Sequence, residues 1–85
     1  MEDAYKQSIK VYDPGAATTL LLGGYDMVFC GMKEDGRMLF CFKTNDRALK
    51  VLNDYFDDKI MIKARDFYDH SQMLIGAAYG ARVLG

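Results

Sequence analysis

Two rhythms of apolar and polar residues are interspersed along this chain: stretches in which they alternate, as on strands, and stretches in which apolar positions recur every three or four residues, as on helices. "SIKVY" (8–12) sets Ile9 and Val11 against Lys10 and Tyr12 and reads as a short strand. "DPGAATTLLLGG" then carries helix punctuation: Asp13 as N-cap, Pro14 at the first helical position and Gly23-Gly24 as the stop, which predicts a helix over 14–22. In "YDMVFCGMKEDGRMLFCFK" (25–43), "EDG" between Lys33 and Arg37 suits a three-residue hairpin connection with Gly36 at positive φ. On that register Cys30 faces Phe40 and Val28 faces Phe42. One face then carries Val28, Cys30, Met32, Met38, Phe40 and Phe42, and the other Met27, Phe29, Gly31, Leu39 and Cys41. Both faces are oily, so both need cover.

"TNDRALKVLNDYFDDK" opens with Thr44 or Asn45 as N-cap and places Ala48, Leu49, Leu52, Tyr55 and Phe56 along one helical stripe. "KIMIK" (59–63) reads as a brief strand with Ile60 and Ile62 on one side. From Asp66 a closing helix aligns Phe67, Ser71, Leu74, Ile75 and Ala78. The expected fold is therefore α+β: a small antiparallel sheet in the ferredoxin-like β-α-β-β-α-β order, plus a C-terminal helix. Residues 1–7 form a flexible N-terminus in this reading and 8–85 a single domain. In such a fold two helices cover one sheet face, leaving the closing helix or another molecule to cover the second.

Composition narrows the function more than it names it. The 85 residues carry 11 Lys and Arg against 12 Asp and Glu, for a net charge of −1, so no global field draws in DNA or an anionic membrane. The apolar runs are short and "MEDAYKQSIK" has no apolar signal core, which predicts a cytoplasmic protein with no membrane association. Cys30 and Cys41 fall on opposite hairpin faces and read as reduced thiols; with one histidine and no C-x-x-C pair, no metal site and no cofactor is expected.

His70 lies one helical turn after Asp66, and "DYFDD" (54–58) groups three carboxylates, yet neither assembles with a nucleophile or third ligand; the chain is not expected to be an enzyme. "GAAYG" (76–80) makes a small-residue strip suited either to close contact with the chain's own sheet or to a partner. "MLFCF" invites comparison with the base-stacking strand of RNA-recognition modules, but that motif's glycine spacing and cationic excess are absent.

A resemblance adds context. Residues 9–79 resemble a family of small domains of unknown function found mostly in bacteriophages and prophages. The likeness lies in "LLLGGYDMVF", in "LFCFKTNDRALKVLNDYF" and in "IMIKARDFY", which opens the final helix; "MLIGAAYG" stands where relatives tend to carry a basic stretch. These features are structural and bring no catalytic residues. They imply a small phage or prophage accessory protein of the bacterial host cytoplasm.

The leading expectation is a non-enzymatic protein, a homodimer or small homo-oligomer, that binds a host or phage protein and inhibits host machinery such as an antiviral defence system. Its interface would use Tyr12, Met27, Phe29, Leu39, Gly76, Tyr79 and Gly80. One alternative is a nucleic-acid-binding module using Lys33, Arg37, Lys43, Arg47 and Lys50. Another is an oligomeric sponge for a small signalling nucleotide, although no Gly-rich phosphate loop supports it.

Overall fold

A computed structural model describes residues 8–80. The expected frayed segment 1–7 and the last residues of the expected domain, 81–85, lie outside the described residues. The elements are β1 (Ile9–Val11), α1 (Pro14–Leu22), β2 (Met27–Met32), β3 (Met38–Phe42), α2 (Asp46–Phe56) and α3 (Ala64–Gly80). The fold is α+β, a three-stranded antiparallel sheet ordered β1-β3-β2 with three helices.

The element order is β-α-β-β-α-α, which corrects the ferredoxin-like expectation: residues 59–63 form no strand. The reason lies in how α2 ends. Asp58 takes φ 62, its N–H donates to the Tyr55 carbonyl and the Lys59 N–H donates to Asp54, a left-handed cap normally given to glycine. The chain then enters α3 at Ala64. Ile60 and Ile62 satisfy their alternating pattern against α1 and α2 instead, lining a cleft with Leu22 and Val51.

The termini of α1 follow the sequence closely. The Asp13 carboxylate accepts from the Ala16 N–H at 3.1 Å, and Pro14 fills the first turn. At the other end Tyr25 N–H donates to Leu20 and Gly24 N–H to Leu21, with Gly24 at φ 89, so the helix stops where only glycine adopts the backbone at little cost. Ala16, Ala17, Thr18, Thr19 and Leu20 are all buried because α1 packs against the sheet, α2 and α3 at once. The two threonine hydroxyls donate to the carbonyls of Pro14 and Gly15, one turn back, which removes the desolvation penalty of burying them.

The hairpin closes as expected. Lys33 N–H donates to Arg37 at 2.8 Å, Gly36 N–H returns to Lys33, and Gly36 sits at φ 88. Cys30 pairs with Phe40, but Met27, not Val28, pairs with Phe42, because an irregularity between Met27 and Phe29 inserts one extra residue into β2. This bulge turns Met27 onto the core and leaves Val28 exposed, so Met27 does not belong to the second face where the sequence pattern put it.

Phe40, Phe42, Val11, Leu20, Ala48, Leu74 and Ala78 form one buried cluster drawn from every helix and from a single side of β3. All three helices therefore lie on the same sheet face, and α3 packs on β2 and β3 from that side. The closing helix does not cover the second face.

Candidate functional site

The outward side of α3 gathers several of the expected interface residues. Leu74 and Ala78 are buried, with Phe67, His70, Ser71 and Ile75 half-buried beside them, so the opposite side of the helix faces out. That side carries Tyr68, Met73 and Tyr79, which are 62%, 57% and 61% exposed, together with the exposed Gly76 and Gly80. Among the described residues, a Cβ built at Gly76 or Gly80 would meet nothing within 4 Å. The "GAAYG" strip thus sends only Ala78 inward, and its glycines do not serve contact with their own sheet.

The remaining expected interface residues are dispersed. Phe29 and Leu39 are half-buried on the second sheet face, beside the fully buried Cys41. Tyr12 follows β1 and lies against the far end of the hairpin, with the Arg37 guanidinium 4.6 Å and the Lys33 ammonium 5.5 Å from its ring centre. Met27 is in the core cluster's margin. The structure does not bring these four together with Gly76, Tyr79 and Gly80 as one patch.

The five basic residues of the nucleic-acid alternative also separate. Lys33 and Arg37 hold the turn end of the hairpin, while Lys43, Arg47 and Lys50 follow the other end of β3, about 17 Å away at about 3.3 Å per strand residue. Acids are interleaved with them: Arg37 Nε donates to Asp35 at 3.0 Å and Lys50 Nζ to Asp54 at 3.2 Å. The Arg37 backbone N–H bonded to Asp35, and then the adjacent guanidinium, hold that exposed carboxyl below the usual range. Such a surface offers phosphate no uninterrupted cationic track.

His70 Nδ1 donates to the Asp66 carbonyl at 2.9 Å, which ties the ring to its own helix; the Asp66 carboxylate and imidazole do not form the pair their spacing suggested. No cluster of three or more metal-ligating side chains occurs among the described residues. Among them, no helix is long and apolar enough to cross a membrane.

Two clefts were not anticipated. One, of about 290 Å³, runs between β1 and α2, lined by Val11, Tyr12, Leu52 and Phe56 with Lys10 and Asp13 at its margins. The other, of about 390 Å³, lies where α1, α2 and the 59–63 segment meet; Asp66 sits on its wall. The α2 stripe is correspondingly split: Leu49 and Phe56 are exposed, while Val51, Leu52 and Tyr55 pack inward. The spacing of Val51 with Ala48 and Tyr55, three and four residues apart, was the available signal for this rotation.

Neither thiol is bridged. Burial pushes both Cys30 and Cys41 up, a neighbouring Ser8 hydroxyl partly opposing it at Cys41; burial first and then the Asp13 carboxylate push the Tyr55 phenol up. All three groups therefore keep their protons to higher pH when folded than when unfolded. Their stabilising contribution is complete below the unfolded thiol value of 9.0 and is lost as pH rises through the folded values. The denaturant midpoint is expected to be level from about pH 7 to about pH 8 and to fall above about pH 9. A midpoint that rises across the alkaline range contradicts this assignment.

Comparison of the chain with protein-family models, with curated proteins and with solved structures finds no match.

Proposed function

We propose that this chain is a non-enzymatic protein-binding module whose partner docks on the outward face of α3. The observation that carries the reading is a helix side bare at Gly76 and Gly80 and edged by the exposed Tyr68, Met73 and Tyr79. A glycine inside a helix costs about 1 kcal/mol relative to alanine. Nothing within the described chain offsets that cost, because the space above both glycines is open. Close approach of another backbone is a use that would offset it, and tyrosine is among the residues that most often anchor protein interfaces.

The resemblance of residues 9–79 to phage and prophage domains supplies the setting. In it the partner is a host or phage protein of the bacterial cytoplasm, and the activity is inhibition of host machinery, an antiviral defence system included.

The test separates fold from binding. Gly76→Ala is expected to raise the stability of the isolated chain by about 0.5–1 kcal/mol in urea titration, since helix propensity improves and no contact is lost. Gly76→Leu and Tyr79→Asp are expected to stay folded yet to lose proteins captured by the parent from bacterial lysate. A partner retained equally by both folded variants sinks this docking face.

A further inference from the structure

We infer that the 59–63 segment is a self-association surface, on which a second copy of this chain docks antiparallel about a two-fold axis near Met61. The segment reads "KIMIK", the same in both directions, so a two-fold axis through its centre sets each apolar triad on its own image. Met61 is 96% exposed between the half-buried Ile60 and Ile62. This is the alternation of a strand, and yet the segment pairs with no strand. Among the described residues, the backbone groups of Ile60, Met61 and Ile62 make no hydrogen bond, so their donors and acceptors are available to a partner.

The surface beside the segment complements it. The cleft of about 390 Å³ opens next to Met61 and is walled by Leu22, Val51, Ile60 and Ile62. Met61 stands on the rim of this cleft and is still 96% exposed, so it does not fill it, and a two-fold lets each copy's thioether enter the other copy's cleft. Methionine suits that role because its unbranched, polarisable side chain adapts to an irregular hole.

Charge agrees with the antiparallel direction. Asp57 and Asp58 precede the segment, whereas Lys63 and Arg65 close it, with Asp66 on the cleft wall. Antiparallel docking carries the acidic end of each segment toward the basic end of the other, and Lys59 of each toward the partner's Asp66. A parallel arrangement would set like charges together. The opposed Lys59 and Lys63 are the unfavourable element, and these acids surround them. So short a contact stands at the small end of stable interfaces, which places its dissociation constant at about micromolar or weaker.

This inference is independent of the partner face on α3. Sedimentation equilibrium of the full chain, across concentrations from about 1 μM to about 1 mM, is expected to show a monomer–dimer equilibrium. Met61→Asp should leave the melting curve of the monomer unchanged and weaken the dimer by about tenfold or more, as loss of a central apolar anchor does. Asp66→Lys should weaken it as well, and Lys59→Asp combined with Asp66→Lys should restore it. The inference is overturned by a parent that stays monomeric at every concentration. It is equally overturned by a dimer that folded Met61→Asp leaves intact, or that Leu39→Lys abolishes while Met61→Asp does not, the result expected of a sheet-face dimer. Gly76→Leu, which tests the α3 face, should leave the dimer's affinity unchanged.

Discussion

Phe40→Ala is expected to remove about 3–5 kcal/mol of stability, the range for truncating a large aromatic in a closed core. A domain of 85 residues holds only about 4–13 kcal/mol in total, so this single change consumes much of it. Phe40 has no exposed surface and joins the one cluster in which α1, α2, α3 and the sheet all meet. The companion measurement is Phe29→Ala, a half-buried phenylalanine on the other sheet face. It should cost distinctly less, about 1–2 kcal/mol, because less apolar surface returns to water. Urea titrations of both variants decide the matter. Equal losses would mean that the second face is as much a core as the first, against the placement of all three helices on one sheet face.

Gly15→Ala is expected to destabilise by about 1–3 kcal/mol, although helix propensity alone predicts a gain of about 1 kcal/mol. The sign is set by Tyr55. Its hydroxyl lies over Gly15, where an added Cβ would overlap it and come within 3.1 Å of Cζ and 3.4 Å of the Asp13 carboxylate. Tyr55 cannot simply move aside, since the phenol is held beside the Asp13 carboxylate that caps α1. This contact seats α2 on the start of α1. In a Tyr55→Ala background the same Gly15→Ala change should turn from loss to gain, a coupling that a double-mutant cycle in urea measures. An unchanged cost in that background would show that Gly15 is needed for some other reason.

These two sites show which parts of the fold were legible beforehand. Asp13, Pro14 and Gly23-Gly24 mark the limits of α1 because capping is chemistry within a few residues, and the helix runs from Pro14 to Leu22 as those signals require. Gly36 likewise fixes the hairpin turn through its own backbone angle. The pairing of Met27 with Phe42 was not legible, because the extra residue in β2 is accommodated by the twist of the sheet and leaves no distinctive side chain behind. Nor does apolar alternation distinguish the 59–63 segment, which forms no strand, from one. Alternating isoleucines bury equally well against two helices as against a sheet face, and periodicity reports the burial without naming the surface that supplies it.

The candidate sites divide along the same line. The strip "GAAYG" stood out as unusual from residue types alone, but only the orientation of α3 shows that Leu74 and Ala78 claim the inner side and leave Gly76, Tyr79 and Gly80 outside. The exposure of Met61, and the cleft beside it, came entirely from the way the end of α2 and the start of α3 fold over Leu22 and Val51. By itself the sequence determined the limits of α1, the hairpin turn and the near-neutral charge. Those properties depend on composition and on contacts a few residues apart. The tertiary structure alone decided that all three helices share one sheet face and that α3 turns its glycines outward. Those choices depend on which distant surfaces meet, and a pattern of apolar spacings is compatible with more than one such meeting.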